Sequence, residues 1–423
     1  MKNIDNRKTC HSLRAVLIIQ LLVSLLASCV LEKQVKKDPV VPALMGKAEA
    51  AEVIPMAELG PPLETVQETA PQGPQPHYLT LAAAGDNLFH DVMIRSNAET
   101  GTYDFTSYYS EIKPLVEKAD IAFINQETLL GGQQYGFSGY PRFNTPQEAG
   151  AALSAAGFDV VNHATNHIMD KGEGAILGTM DYWDTVPGIQ YLGIYRSQEE
   201  RDTKKVIIEK NDIKVGFLAY TYGTNSLPVP RGKPYLVSLI DRSIMEKEIK
   251  ALRPLCDVLV VSMHWGEEYR HTITQGQEDL GRFLADNLVD LVIGHHPHVL
   301  EPYAYLDRPD GGKTLCFYSL GNFLSAQQTI PTQLGGLAYV RIKQLAGTIT
   351  IEEEGIIPVV NHYERDFTNF CVYPLYNYRE DLAAKHLLGL RGQAIGPLSL
   401  RSLAENVLGE GTILFQNPFA GED

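Results

Sequence analysis

Short apolar runs recur at residues 78–84, 121–124, 160–161, 206–208, 215–219, 258–263, 288–293 and 315–318. They are rich in β-branched residues and end in polar residues or turn formers, a pattern that reads as buried strands. Between several of them, at 145–156, 174–184, 243–252 and 275–287, the apolar positions recur with a helical period. Residues 337–360 have β-hairpin character. The alternation predicts an α/β fold of layered sheets and helices, in which ligand sites collect at the carboxyl ends of the strands.

The first residues follow a different pattern. Lys2, Arg7, Lys8 and Arg14 precede an apolar stretch at 15–26, of signal-peptide length and too short to span a bilayer comfortably. That stretch runs into Leu26-Ala27-Ser28-Cys29, which resembles the lipobox of bacterial lipoproteins. The resemblance implies cleavage after residue 28 and diacylation of Cys29. Two acyl chains suffice for stable anchoring, so the expected location is the outer face of a cytoplasmic membrane, tethered and not spanning. Residues 29–77, with Pro39, Pro42, Pro55, Pro61, Pro62, Pro71, Pro74 and Pro76 and almost no aromatics, read as a disordered spacer after the lipidated cysteine. The domain plan is therefore a signal peptide at 1–28, an anchor and spacer at 29–77, a main domain at 78–365 and a C-terminal extension at 366–423.

The net charge is −15, and the first 28 residues contribute +3, so the processed chain carries about −18. This excess argues against nucleic acid as a partner and against adhesion to anionic lipid through a basic surface; a polyanionic partner would need a local basic groove. With Cys10 in the signal and Cys29 lipidated, Cys256, Cys316 and Cys371 remain. Cys256 and Cys316 border apolar runs and are read as small packed hydrophobes, with no disulfide framework.

The strand ends carry the chemistry. Gly85-Asp86-Asn87 and Asn125-Gln126-Glu127 each place a carboxylate just past a strand. A third strand leads to Asn162-His163-Ala164-Thr165-Asn166-His167-Ile168-Met169-Asp170, a fourth to His264-Trp265-Gly266, and a fifth to Gly294-His295-His296-Pro297-His298. Crowded free imidazoles repel when protonated and are costly to bury, whereas a divalent cation takes them neutral as ligands. Taken alone, the last motif reads equally well as a solvated His-rich loop. Five such strand ends together favour a mixed nitrogen and oxygen site suited to Mn, Fe or Zn, with one or two ions.

In this order, Gly85-Asp86, Asn125-Gln126-Glu127, Thr165 to Asp170, His264-Trp265-Gly266, Gly294 to His298 and Ser319-Leu320-Gly321-Asn322-Phe323 resemble the motif series of the CapA or PgsA-type capsule-biosynthesis proteins. That family is associated with poly-γ-glutamate synthesis and export and is similar in fold to the calcineurin-like metallophosphatases. The resemblance covers roughly residues 79–325 and implies an α/β/β/α sandwich, two sheets flanked by helices. It implies Asp86, Glu127, Asn166, His264, His296 and His298 as metal ligands, Glu127 bridging. His167 becomes the proton donor and Asp170 the residue that orients it. In two-metal chemistry, ions about 3.5–4 Å apart activate a shared water and clamp the attacked group.

Two positions depart from the metallophosphatase pattern: Leu88 stands where a histidine is usual, with His90 nearby, and Glu127 stands where an aspartate is usual. His163 and His295 read as packing or supporting residues. Trp265 reads either as a slot lining or as a buried support, and Ser319 to Phe323 either as cleft-shaping or as a turn. Ser319 lacks a base partner, which argues against a serine hydrolase. Glu267, Glu268 and the Glu352 to Glu354 cluster read as solvated acidic surface.

Two functional classes follow. One is a cell-surface metal-dependent hydrolase or transferase acting on an amide, ester or phosphoester of a capsule or wall polymer such as poly-γ-glutamate. The other is an accessory or scaffold subunit of a membrane synthase complex that keeps the site for binding or structure.

Overall fold

Strand β1 (His77–Asn87) runs through the middle of the first sheet and delivers Asp86 to its end. A computed structural model describes residues 73–98, 102–409 and 413–419. The signal segment, Cys29 and all but the last few spacer residues lie outside the described residues.

Beside β1 in the same sheet lie β2 (Ile121–Gln126), β3 (Val160–Asn162) and β4 (Gln190–Leu192), all parallel to it. A second sheet is built from β5 (Val206–Lys210), β6 (Ile213–Thr221), β7 (Val258–His264), β8 (Leu291–His295), β9 (Tyr303–Asp307) and β10 (Lys313–Phe317), in the order β5-β6-β7-β8-β10-β9. β11 (Asn322–Leu324) returns to pair with the end of β1. β12 (Leu334–Leu345), β13 (Thr348–Glu364) and β14 (Thr368–Pro374) complete the first sheet antiparallel, in the order β14-β13-β12-β1-β2-β3-β4.

Alternation along each strand sets the layers. Leu81, Ala83, Ile121 and Phe123 pack with Val215, Phe217, Val260 and Ile293 of the other sheet. The opposite faces, through Ala82, Ala84 and Ile124, meet Leu153 of helix Glu148–Ala156 and Met180 and Trp183 of helix Gly172–Trp183. On the second sheet, Leu259, Val261 and Met263 cover helices Arg242–Leu252 and Gln275–Asp286 through Met245, Ile249 and Leu284. Each fully buried Leu, Ile, Val, Phe or Met among them contributes about 1.5–3 kcal/mol. The result is the expected α/β/β/α sandwich.

Local signals account for the helix ends. Asp241 accepts from the backbone of Ser243 and Ile244, and Thr274 with Gln277 forms a capping box. The strand expected at 288–293 begins later, at Leu291, because Leu288 takes φ +62° as the preceding helix closes. β4, β9, β11 and β14 are too short or too polar for the periodicity to reveal. The chain beyond residue 365 adds β14 to the sheet edge, and Leu400 and Ala404 of helix Pro397–Leu408 are fully buried. Cys256, Cys316 and Cys371 are buried free thiols. Among the described residues no helix is long and apolar enough to cross a membrane.

Candidate metal centre

Register aligns the polar strand ends. Asp86, Asn125 and Asn162 stand side by side on β1, β2 and β3. Asn162 donates to the Asn125 side-chain oxygen at 2.7 Å, and Asn125 donates to Asp86 Oδ1 at 2.8 Å. In the second sheet His264 sits beside His295. The loop after β8 then carries His298 across to the first sheet, where its Nδ1 lies 3.1 Å from Asp86 Oδ2 and 3.1 Å from Asn322 Oδ1.

Glu127 is common to two ligand groups. One is Glu127 with His264 and His296, the other Glu127 with Asp86 and His298, and in each the ligand atoms lie within 4.8 Å of one another. Glu127 Oε1 is 3.8 Å from His264 Nε2 and 3.8 Å from His298 Nε2. Asn166 joins the first group through Oδ1, 2.9 Å from His264 Nε2. Both Glu127 oxygens, His264 Nδ1 and His296 Nδ1 are buried without a hydrogen-bond partner. Buried polar groups are nearly always satisfied, so a Glu127 carboxylate with neither oxygen bonded, shared by two groups of clustered ligand atoms, fits a cation held by nitrogen and oxygen donors.

The electrostatics agree with that fit. Burial keeps His264 well below the usual imidazole range and lowers His296 to about 3, so both are neutral and able to ligate. Burial opposes charge on Asp86, yet the neighbouring His295 and His298 imidazoles override it and hold the carboxyl well below its usual range. Burial likewise opposes charge on His298, but Glu127 and Asp86 push it up to about 9. Glu127 itself is driven well upward by burial. The two directions compete for one proton. The geometry favours a protonated His298, its Nδ1 3.1 Å from Asp86 Oδ2 and its Nε2 3.8 Å from Glu127 Oε1, a proton that a bound cation would displace.

The histidine loop is held in an unusual shape. His296 has φ +99° and His298 φ +60°, a region that costs a non-glycine residue about 1–3 kcal/mol unless its surroundings impose it. Those surroundings are explicit: His295 O accepts from Trp265 N, Pro297 O accepts from Tyr269 N, and His296 N points at Asp86. Gly294 and Gly85 allow close chain crossing, since a Cβ would lie 1.9 Å from Tyr318 O and 2.0 Å from Gly321 O respectively. Trp265 is buried, donates to Tyr318 O at 2.9 Å and supports the loop from behind.

His167 and Asp170 stand at the edge of the cluster. His167 Nδ1 lies 2.8 Å from Asp170 Oδ2 and is 7% exposed, whereas the six candidate ligands are at most 4% exposed. With Asn166 and Asp170 it lines a cavity of about 510 Å³. A tethered imidazole beside an accessible cavity can hold and pass a proton at its free Nε2.

The remaining residues separate clearly. His163 accepts from Trp183 Nε1 at 2.7 Å, away from both ligand groups. His295 stacks on Phe123 with its Nδ1 3.6 Å from Asp86. His90 sits outside both ligand groups, against Leu88 O and Ala326 N, and Leu88 is buried. Ser319 donates to Val299 O. Glu267, Glu352 and Glu353 are exposed; Glu268 is exposed but lines the cavity. Tyr222, half-exposed, covers His296 with ring centroids 4.7 Å apart, and Tyr269 stands 6.0 Å from His298. Neither was anticipated, although Tyr222 directly follows β6 and the strand-end argument reaches it.

Fold and cluster define a class: a two-sheet α/β sandwich with a buried carboxylate–imidazole centre at its strand ends. The chain belongs to the bacterial capsule synthesis protein PGA_cap family, whose model matches residues 80–327. It is 28% identical over 201 residues to the PGA biosynthesis protein CapA of Bacillus subtilis (strain 168), covering 47% of this chain and 51% of that one. It is likewise 28% identical over 202 residues to the capsule biosynthesis protein CapA of Bacillus anthracis, covering 47% of each. The matched stretch thus spans about half the length of these relatives. Solved structures that resemble the chain include the calcineurin-like phosphoesterase YfkN of Bacillus subtilis, with TM-score 0.40, 17% identity and coverage of 67% and 91%. Another is the NAD nucleotidase of Haemophilus influenzae, with TM-score 0.41, 12% identity and coverage of 78% and 67%. These likenesses are of overall layout only.

Proposed function

We propose that this chain is a surface-anchored family member acting in the synthesis or export of a capsule polymer, with poly-γ-glutamate as the substrate class, through a divalent-metal centre. The observation that carries the reading is Glu127, shared by two ligand groups beside a cavity lined by His167. The similarity to the PGA and capsule biosynthesis proteins of the two Bacillus species supports the polymer. In this reading residues 1–28 are removed as a signal, Cys29 carries the lipid, residues 29–77 tether, and 78–365 with the 366–423 extension form the folded part on the extracytoplasmic face.

Asp86, Glu127, Asn166, His264, His296 and His298 would hold Mn, Fe or Zn, at one or two positions. When bound, such a metal supplies Lewis-acid polarisation and a water of lowered pKa. Asp170 fixes the His167 ring so that Nε2 faces the reacting group and gives its proton to the leaving atom of an amide, ester or phosphoester. The near-complete burial of the ligands favours a second reading, a binding or scaffold subunit of a membrane synthase in which the centre is structural.

Elemental analysis of the purified chain distinguishes them. We expect bound transition metal, most of it lost in the His296→Ala/His298→Ala double variant. His167→Ala should keep the metal yet abolish turnover of a chromogenic phosphodiester or γ-glutamyl polymer and fail to restore capsule in cells. Metal-free protein after metal-replete expression overturns the centre; full capsule with His167→Ala selects the scaffold. For the location, Cys29→Ala should leave the membrane fraction or accumulate as precursor, and unchanged fractionation of a mature-sized product removes the lipid anchor.

A further inference from the structure

The segment 138–144 folds back on itself and is locked to the proton-donor candidate. Ser138 and Asn144 exchange backbone hydrogen bonds of 3.0 and 2.9 Å, and Ser138 Oγ donates to Arg142 O at 2.5 Å. Phe143 N donates to Asp170 Oδ2 at 2.7 Å, the same oxygen that lies 2.8 Å from His167 Nδ1. The Phe143 ring meets the His167 ring edge-on, with centroids 4.6 Å apart. One carboxylate oxygen therefore registers both the imidazole and the loop.

That registration places Arg142 on the wall of the cavity that His167 lines. Arg142 is exposed, and among the described residues its guanidinium has no ion pair and no side-chain hydrogen bond. Elsewhere in the fold Arg196, Arg201, Arg253 and Arg308 are all paired with carboxylates. A guanidinium offers five donors in a planar fork that matches an oxyanion. Asn225, whose amide nitrogen lies 3.3 Å from His167 Nδ1, lines the same cavity. Glu268 is on the cavity too, where it repels negative charge and so confines an anionic group to the Arg142 side.

We infer that Arg142 is a specificity-determining residue that binds an anionic group, carboxylate or phosphate, of the molecule handled beside His167. This rests on the reading of the His167 cavity as the reaction site. For a poly-γ-glutamate chain the group would be a free α-carboxylate; for a phosphoester, the phosphoryl oxygens.

Calorimetric titration of the full chain with tri-γ-glutamate and, separately, with inorganic phosphate tests this. We expect one of the two to bind, and the one that does identifies the oxyanion. Arg142→Ala should weaken that binding by at least about tenfold, as expected for loss of a hydrogen bond to a charged group. Arg142→Lys should recover part of it, and Arg365→Ala, which removes an exposed charge outside the cavity, should leave it unchanged. Equal binding by Arg142→Ala and wild type overturns the inference, as does absence of binding by both probes. Arg142-dependent binding by a chain that proves metal-free and inactive upholds it while removing the catalytic reading above.

Discussion

Asp170 Oδ2 lies 2.8 Å from His167 Nδ1 and accepts from Phe143 N at 2.7 Å, so one atom both orients the imidazole and fastens the loop above it. Asp170→Asn keeps the shape but offers an amide that cannot serve both donors in the same way. Turnover should fall by about two orders of magnitude, in line with typical general acid–base contributions, while metal content stays at the wild-type level. Undiminished turnover would show that the imidazole needs no orienting carboxylate.

Glu127 should reverse sign between apo and metal-bound protein. Among the described residues its two oxygens are buried with no hydrogen-bond donor, and burying a carboxylate without such donors is destabilising. Glu127→Gln should therefore raise the thermal midpoint measured in chelator yet abolish the gain that Mn gives to wild type. A midpoint that falls in chelator would mean that Glu127 is already satisfied without an ion.

Gly294 is a steric requirement. A Cβ there would lie 1.9 Å from Tyr318 O, a backbone atom that cannot swing away. Gly294→Ala should cost about 3 kcal/mol or more by urea denaturation. Gly223→Ala, with open space around it, should stay within about 0.5 kcal/mol of wild type.

Glu301 sets a pH dependence. It is fully buried, Oε2 accepts from Gln277 at 2.5 Å, and burial raises it from 4.5 to about 7. The folded state thus binds the proton more tightly than the unfolded chain, so stability falls as pH rises from 4.5 to about 7 and then levels off. The loss is on the order of 3 kcal/mol. Glu301→Gln, which carries no titrating proton, should flatten that segment of the stability curve measured by urea denaturation from pH 4 to 8. An unchanged slope would assign the dependence to other groups.

The sequence by itself determined the strand ends and what they carry. Apolar runs stop at Asp86, Asn125, Asn162, His264 and the Gly294 to His298 motif because a buried strand tolerates polar groups only where it leaves the core, and parallel strands bring those exits to one edge. Only the tertiary structure decided which atoms meet. Periodicity has no means of giving the distance from Glu127 to two imidazoles on the other sheet, nor the positive φ of His296 and His298, which depends on partners from β1 and from the loop after β7. The same holds for Arg142, Tyr222 and the Phe143–Asp170 bond, which lie on loops without a hydrophobic pattern. Their positions follow from side-chain and backbone hydrogen bonds between segments distant in sequence, a long-range property that no local run of residues encodes.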